Sequence, residues 1–346
     1  SPPMFALLLL LVAAVTATPL DRFIEKEMKT GAIPGLSAVA VNSTHVLWTG
    51  VFGNSDPEKE KAATVDTLFT FASVSKTIIS FVVMHLFDQG LVALDDDVNK
   101  HLDFTLKNPN FPNDPITLRQ LLSHTSSIND DRYSSDAVYD HILVQGDYPG
   151  SIGTFLHALM VPGGNFYGKN SWHEYKPGAR FDYSNIGATT AAHLAECVAK
   201  SAVRAGHGLG LGMTRADETT LDFNALAMAL FRSNWPTAGP AAYHLANLSG
   251  TDIAIPSTLS REGKVKDYCL WGYPDYPDGT FRASPTTYSY LLRTFMNFGV
   301  APGSGKQVLQ RATAVMMRNV SDGAGDAPGQ DGLPQALIWY YDDSYV

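Results

Sequence analysis

The sequence predicts a two-lobed α/β protein: an antiparallel sheet flanked by helices and built from both chain ends, with a mainly helical lobe inserted after the Ser73 helix. Three observations lead there. Two short apolar runs, Leu36 to Val41 and His45 to Trp48, are joined by an Asn/Ser/Thr turn and read as a hairpin. The residues after Lys76 are apolar on every side of a helix, and such a helix belongs inside a core. A strand-like run, Leu337-Ile338-Trp339-Tyr340-Tyr341, stands near the other end. At 346 residues, 45% hydrophobic and 17% charged, the chain can bury a sizeable core, and its length suits about two lobes.

Ser1-Pro2-Pro3 precedes Met4, and the residues from Phe5 to Ala17 read as the apolar core of a signal peptide cleaved after Ala17. Residues 1–17 are then a leader and residues 20–346 the folded domain. An uncleaved anchor is the competing reading, because no positive charge precedes the run. The run is short for a bilayer, and no other stretch reads as a membrane span. Three Asn-x-Ser/Thr tripeptides, at Asn42, Asn247 and Asn319, fit a secretory route and a glycosylated product, although such tripeptides also arise by accident. Cys197 and Cys269 could pair in an oxidising compartment. Cysteine and histidine spacings of the zinc type are missing, so no metal is expected. A net charge of -9 argues against nucleic acid as a partner.

Taken in order, Leu20 to Met28 has helical spacing, with Thr18 as N-cap, Pro19 in the first turn and Gly31 as terminator. Pro34-Gly35 turns the chain into the hairpin. A charged loop from Asp56 to Lys61 leads to the Ser73 helix, which ends at Gln89-Gly90. Asp95-Asp96-Asp97 is a metal candidate on composition, but it lacks the glycine and second ligand set of a calcium loop and reads as a solvated helix start. Thr117 caps a short helix carrying Leu118, Leu121 and Leu122. Asp130 to Gly178, rich in Tyr, Asp, Gly and Ser, reads as loops lining a cleft. An alanine-rich helix then runs to about Ala202, and helices are expected at Leu221 to Phe231, Ser284 to Asn297 and Gln307 to Met317.

The chemistry concentrates at Ser73-Val74-Ser75-Lys76. Positions i and i+3 of a helix are neighbours, so Ser73 and Lys76 share a face near the amino end, where free N–H groups favour negative charge. A serine hydroxyl needs a base before it attacks an acyl carbon, and a partly desolvated lysine can serve. Such a pair also occurs by chance on exposed helices. What distinguishes this one is a lysine at the mouth of an apolar helix, costly without a partner or a task. Ser75 is the rival nucleophile, but it adjoins Lys76 and faces elsewhere.

Ser73-Val74-Ser75-Lys76, followed by Tyr183-Ser184-Asn185, resembles the serine β-lactamase and penicillin-binding-protein superfamily, in its class C-like and esterase-like branch. The likeness runs from about Leu20 to Tyr341 and includes Phe71-Ala72-Ser73, Gly90 to Asp96, Leu121 to Ser126, and Pro177 to Asn185. It implies a β-lactamase/transpeptidase-like fold and an acyl-enzyme hydrolase acting on an ester, amide or lactam of a small-molecule or peptide-like substrate, without a cofactor. Ser73 is then the acylated nucleophile, Lys76 its base or proton conduit, Tyr183 a second proton carrier and Asn185 a hydrogen-bonding partner of the substrate. The Ser73 N–H supplies half of an oxyanion hole. Read without the resemblance, Asp182 to Asn185 is plain turn chemistry around a half-buried aromatic.

His124 falls in a segment that is structural in the family, and Ser127 stands where relatives usually have glycine. The third motif, Lys-Thr-Gly or His-x-Gly on a core strand, is the main departure. Lys29-Thr30-Gly31 precedes the first strand, and His207-Gly208-Leu209-Gly210 follows Tyr183 too closely. Relatives carry the motif shortly after a segment like Leu337 to Tyr341, which makes a truncated chain the expectation. A catalytically incomplete pseudoenzyme that binds a ligand or partner in the same cleft is the alternative that follows.

Overall fold

Thr18 and Asp21 each accept the other's backbone N–H, a capping box that starts helix α1 (Pro19–Gly31). The structure is a computed structural model and describes residues 18–259, 264–319 and 335–339, so the expected leader at 1–17 lies outside the described residues. Gly31 is the last residue of α1, but the left-handed cap is Ala32, with φ 52°, one position beyond the terminator expected from sequence.

Strands β1 (Gly35–Val41) and β2 (Val46–Asp56) form the hairpin, in register from Gly35 opposite Gly53 to Ala40 opposite Trp48, with a shift before Val41 meets Val46. β3 (Lys61–Ala62) adds to the far edge of β2, giving the order β1-β2-β3. At Gly35 a Cβ would lie 2.1 Å from the Asn54 carbonyl oxygen, so only glycine lets the strands approach there.

β4 (Phe69–Thr70) leads into a 3-10 turn, Ala72–Ser75, and then into α2 (Lys76–Asp88). Every residue from Lys76 to Met84 is buried, as an all-apolar helix requires, and Gly90 at φ 70° ends the run. Ser73 is not inside this helix, as expected, but in the tighter turn before it, where it is exposed.

Past α2, Asp97 caps a 3-10 turn at Val98–Lys100, while Asp95 pairs with Arg119 and Asp96 with Lys100. The acidic triplet is thus a helix start and its pairings. α3 (Leu118–Leu122) opens with a Thr117/Gln120 capping box. The segment expected to be loops contains α4 (Asp136–Ile142), β5 (Val144–Gln145) and α5 (Ile152–Met160), the last burying Ile152, Phe155, Leu156, Leu159 and Met160. That spacing is helical, and the surrounding glycines and tyrosines mask it. α6 (Asn185–Arg204) and α7 (Phe223–Asn234) pack against α2 and complete the helical core.

The remaining strands are short: β6 (Ala241–Ala242), β7 (Ser257–Leu259), β8 (Val265–Asp267), β9 (Trp271–Gly272) and β10 (Arg282–Ala283). β10 lies between β4 and β6, β5 pairs with β9, and β7 with β8, all antiparallel. Ser284 caps α8 (Pro285–Met296), which packs on β1, and α9 (Arg311–Met316) follows.

The sheet is not built from both chain ends among the described residues. Gln335 to Trp339 forms no strand; Leu337 and Ile338 are buried, the Ile338 N–H donates to the Leu122 carbonyl at 2.8 Å, and Trp339 stacks on Phe295 at 3.8 Å. An apolar run reads alike whether it pairs as a strand or fills a core as irregular chain. Tyr340 and Tyr341 lie outside the described residues. Cys197 and Cys269 are both free thiols, not a pair. Asn42, Asn247 and Asn319 are all exposed. Among the described residues no helix is long and apolar enough to cross a membrane.

Phe81, fully buried on α2 and packed toward Phe295, tests this core. Phe81→Ala should lower unfolding free energy by about 3–5 kcal/mol in a denaturant titration, while Leu47→Ala, 63% exposed on β2, should change it by less than about 0.5 kcal/mol.

Candidate active site

Ser73 is presented by backbone strain as much as by helix geometry. Ala72, just before it, holds φ at 46°, a left-handed conformation that non-glycine residues adopt at a cost of about 1–3 kcal/mol when the surroundings enforce it. The enforcing contacts are the Phe71 N–H bond to the Phe281 carbonyl at 2.9 Å and the pairing of β4 with β10. Ser75, the rival nucleophile, is buried and its Oγ accepts the Phe281 N–H at 3.2 Å. It is a structural anchor.

Lys76 begins α2 with its side chain enclosed, only 2% of the residue being exposed. Its Nζ donates to the Asp278 carbonyl oxygen at 2.9 Å and to Ser73 Oγ at 3.3 Å. The phenol of Tyr183 donates to the same Oγ at 2.8 Å, and Lys76 Nζ lies 5.0 Å from the Tyr183 ring centre. Ser73 Oγ therefore has two proton-carrying groups within one hydrogen bond, one from the first residue of the following helix and one from 110 residues along the chain. The structure brings Ser73, Lys76 and Tyr183 together.

The segment carrying Tyr183 is held from behind. Gly178, at φ 85°, turns the chain after Pro177; its N–H donates to the Thr125 carbonyl, and the Asp182 N–H to the His124 carbonyl. Ser184 is the N-cap of α6, its Oγ accepting the Gly187 N–H at 2.8 Å and donating to Asp130 at 2.6 Å. The Ser184 N–H donates to His124 Nδ1 at 3.2 Å, and the Asn185 N–H to the other Asp130 oxygen at 2.6 Å. His124 also lies against the Tyr183 ring, with centres 4.6 Å apart. Asn185 is thus fixed through its backbone at the first position of α6 and is half-buried.

Sequence reasoning missed Asp130 and Asp278, which sit in polar loop stretches with no periodic or motif signal. His124, in the segment expected to be structural, is a buried wedge between Tyr183 and Ser184. Burial, with the nearby Lys76 charge, drives its imidazole down to about 3, so it stays neutral at ordinary pH. Burial pushes Asp130 up to about 7, against the hydrogen bonds from Ser184 and Asn185 that favour its ionised form. Asp275 and Asp278, buried beside each other, are both pushed up by burial; Asp278's charge adds to the effect on Asp275, and Lys76 opposes it on Asp278. Ser127, where glycine was expected, has φ 62°, and its Oγ accepts a hydrogen bond from Asn108 at 2.9 Å.

The beta-lactamase family model matches residues 20–343. The chain belongs to the beta-lactamase family. Its relatives include protein flp of Staphylococcus aureus strain N315, 32% identical over 168 residues, a match covering 48% of this chain and 30% of flp. This family member therefore aligns with less than a third of that relative's length. Among solved structures, the octameric penicillin-binding protein homologue from Pyrococcus abyssi superposes with a TM-score of 0.65 at 18% identity, over 93% of this chain and 64% of that one. EstCE1, a hydrolase with promiscuous acyltransferase activity, gives a TM-score of 0.62 at 16% identity, over 92% of this chain and 81% of its own. These likenesses establish the β-lactamase/transpeptidase-like α/β fold. The family match runs to residue 343 and so does not show the truncation that the sequence reading expects.

The opposed burial effects at Ser184 give a pH test. Unfolded Asp130 releases its proton near 3.8 and folded Asp130 near 7, so its contribution is full below 3.8 and is lost as pH rises through 7. Unfolded His124 takes up a proton near 6.5 and the folded residue near 3, so stability falls as pH drops through that window. Relative to the wild type, Asp130→Asn should gain stability from pH 4 to 7, by at most about 1.4 kcal/mol per pH unit, and His124→Gln should lose it from pH 4 to 6.5. Urea melts at half-unit pH steps measure both slopes; parallel curves for all three proteins would refute the assignment.

Proposed function

We propose that the protein is a serine hydrolase that opens an ester, amide or lactam bond through an acyl-enzyme on Ser73. The observation that carries this is the convergence of Lys76 Nζ and Tyr183 Oη on Ser73 Oγ, at 3.3 and 2.8 Å. In acylation Oγ forms a bond to the acyl carbon and its proton passes along one of those two contacts. The acyl–oxygen or acyl–nitrogen bond then breaks, and the leaving group receives a proton from the same pair. Water repeats the sequence in reverse, losing a proton to the pair, attacking the ester and returning the proton to Oγ.

The oxyanion that forms meets the Ser73 N–H at the start of the 3-10 turn, where the first amides lack intrahelical partners. In this reading the side-chain amide of Asn185, the first residue of α6, bonds the substrate's acyl side. EstCE1 is a hydrolase by its description, which supports acyl transfer as the reaction class. The apolar run at residues 5–17 and the exposed asparagines of the three tripeptides support action outside the cell as a secreted glycoprotein.

An activated ester or fluorophosphonate should label the protein covalently with one equivalent, as read by intact mass. Ser73→Ala should remove the label and Ser75→Ala should keep it. Tyr183→Phe should slow labelling by about 10²–10⁴. Labelling that survives Ser73→Ala, or saturable binding of the ester with neither label nor turnover in the full-length protein, would overturn the reading.

A further inference from the structure

Outside the Ser73 site, three metal-ligating groups of different types converge on one point. His193 Nε2 lies 2.9 Å from an Asp103 carboxylate oxygen and 3.5 Å from Cys197 Sγ, and the three donor atoms are all within 4.8 Å of one another. His193 and Cys197 are i and i+4 on α6 and so share a face; Asp103 reaches them from the segment after the Val98–Lys100 turn. A neutral imidazole has at most one N–H at Nε2, and that hydrogen can point well at only one of two acceptors. A cation among the three donors satisfies all of them together.

The imidazole is held for such a role. It is 97% buried by its 3% exposure, stacked on Phe104 with centres 5.9 Å apart and planes 11° apart. On its other side Gly153 makes room, since a Cβ there would fall 2.6 Å from the ring. The far nitrogen, Nδ1, is buried without a hydrogen-bond partner, and the nearest carboxylate is Glu196 at 3.9 Å, itself paired with Lys200 at 2.5 Å. Against the effect of burial, the bonds to Cys197, Glu196 and Asp103 push the metal-free imidazole up to about 10, so a metal entering at Nε2 displaces a proton there and leaves the Nδ1 hydrogen facing Glu196, the arrangement that metal-bound histidines favour.

We propose that Asp103, His193 and Cys197 form a divalent-cation site of zinc type, with a fourth position open to solvent on the Asp103 side. Zinc bound tetrahedrally sets nitrogen and sulfur about 3.5 Å apart and nitrogen and oxygen about 3.4 Å apart. The first spacing is already present, and the second needs Asp103, whose side chain is 65% exposed, to withdraw by about half an ångström. One thiolate, one imidazole and one carboxylate select zinc or cobalt over calcium and magnesium, which prefer oxygen alone. The ion would tie the middle of α6 to the loop at residues 101–106. The His193-x-x-x-Cys197 spacing is visible in the sequence, but its third ligand comes from 90 residues away.

The test uses the full chain stripped by chelation and titrated with zinc chloride by calorimetry and with cobalt chloride by absorption. One equivalent of zinc should bind, cobalt should produce a thiolate charge-transfer band, and zinc should raise the melting temperature of the wild type. Cys197→Ser should abolish the band, and Asp103→Asn should weaken zinc binding at least about tenfold. Both variants should melt like the wild type without metal, because they alter an exposed carboxylate and a partly exposed thiol. Absence of stoichiometric zinc binding, or a cobalt band unchanged in Cys197→Ser, would overturn the proposal.

Discussion

A lysine amine enclosed by an apolar helix must find lone pairs, and the centre of this protein is arranged around that requirement. The apolar side chains that α2 buries after Lys76, namely Ile78, Ile79, Phe81, Val82 and Val83, cannot supply them. One lone pair comes from Ser73 and the other from the Asp278 carbonyl, 202 residues away. Docking that distant peptide brings β10 against β4 and places Phe281 beside both Phe71 and Ser75. The nucleophile's turn, the lysine and the later strands are therefore one cooperative unit, and loss of any part exposes a buried amine.

The second constraint is electrostatic and lies at the head of α6. His124 and Asp130 both grip Ser184, yet burial suppresses the charge of each. A neutral clamp has an advantage beside a reactive serine. With His124 neutral and Asp130 only partly ionised near neutral pH, it fixes position with less charge than two ionised groups would place beside Ser73, Lys76 and Tyr183, the groups proposed to exchange protons. Asp275 and Asp278, also pushed toward neutrality by burial, extend the same low-charge surroundings on the other side of Lys76.

What the sequence made legible follows from how local each signal is. Ser73 and Lys76 are three residues apart, so helical spacing exposes them, whereas Tyr183 and Asn185 sit in a stretch that alone reads as turn chemistry and are singled out by the family resemblance. The N-caps Thr18, Thr117 and Ser284 are equally local, and all three start helices. Asp130 and Asp278 are invisible by comparison, because their importance comes from which distant backbone they meet. The end of the chain failed for a related reason: Leu337 to Trp339 has the composition of a strand, and only the packing of Phe295 and Leu122 shows that it fills a core instead. α5 was hidden by its glycine-rich surroundings, although its buried positions keep helical spacing. At residue 127 the reverse holds, since a left-handed φ explains why relatives place glycine where this chain has serine.

The manner in which Asn185 is fixed bears on how such a site can diversify. Its position is set by the backbone N–H bond to Asp130 and by Ser184's cap, neither of which depends on the side chain at 185. Ser184, by contrast, is committed by both its hydroxyl and its amide. Two adjacent positions thus differ in freedom: one can be exchanged while the frame stands, and the other carries the frame. With the substrate contact proposed for Asn185, exchange at the first position changes the acyl partner without disturbing the fold, a separation of duties that lets one scaffold serve many chemistries.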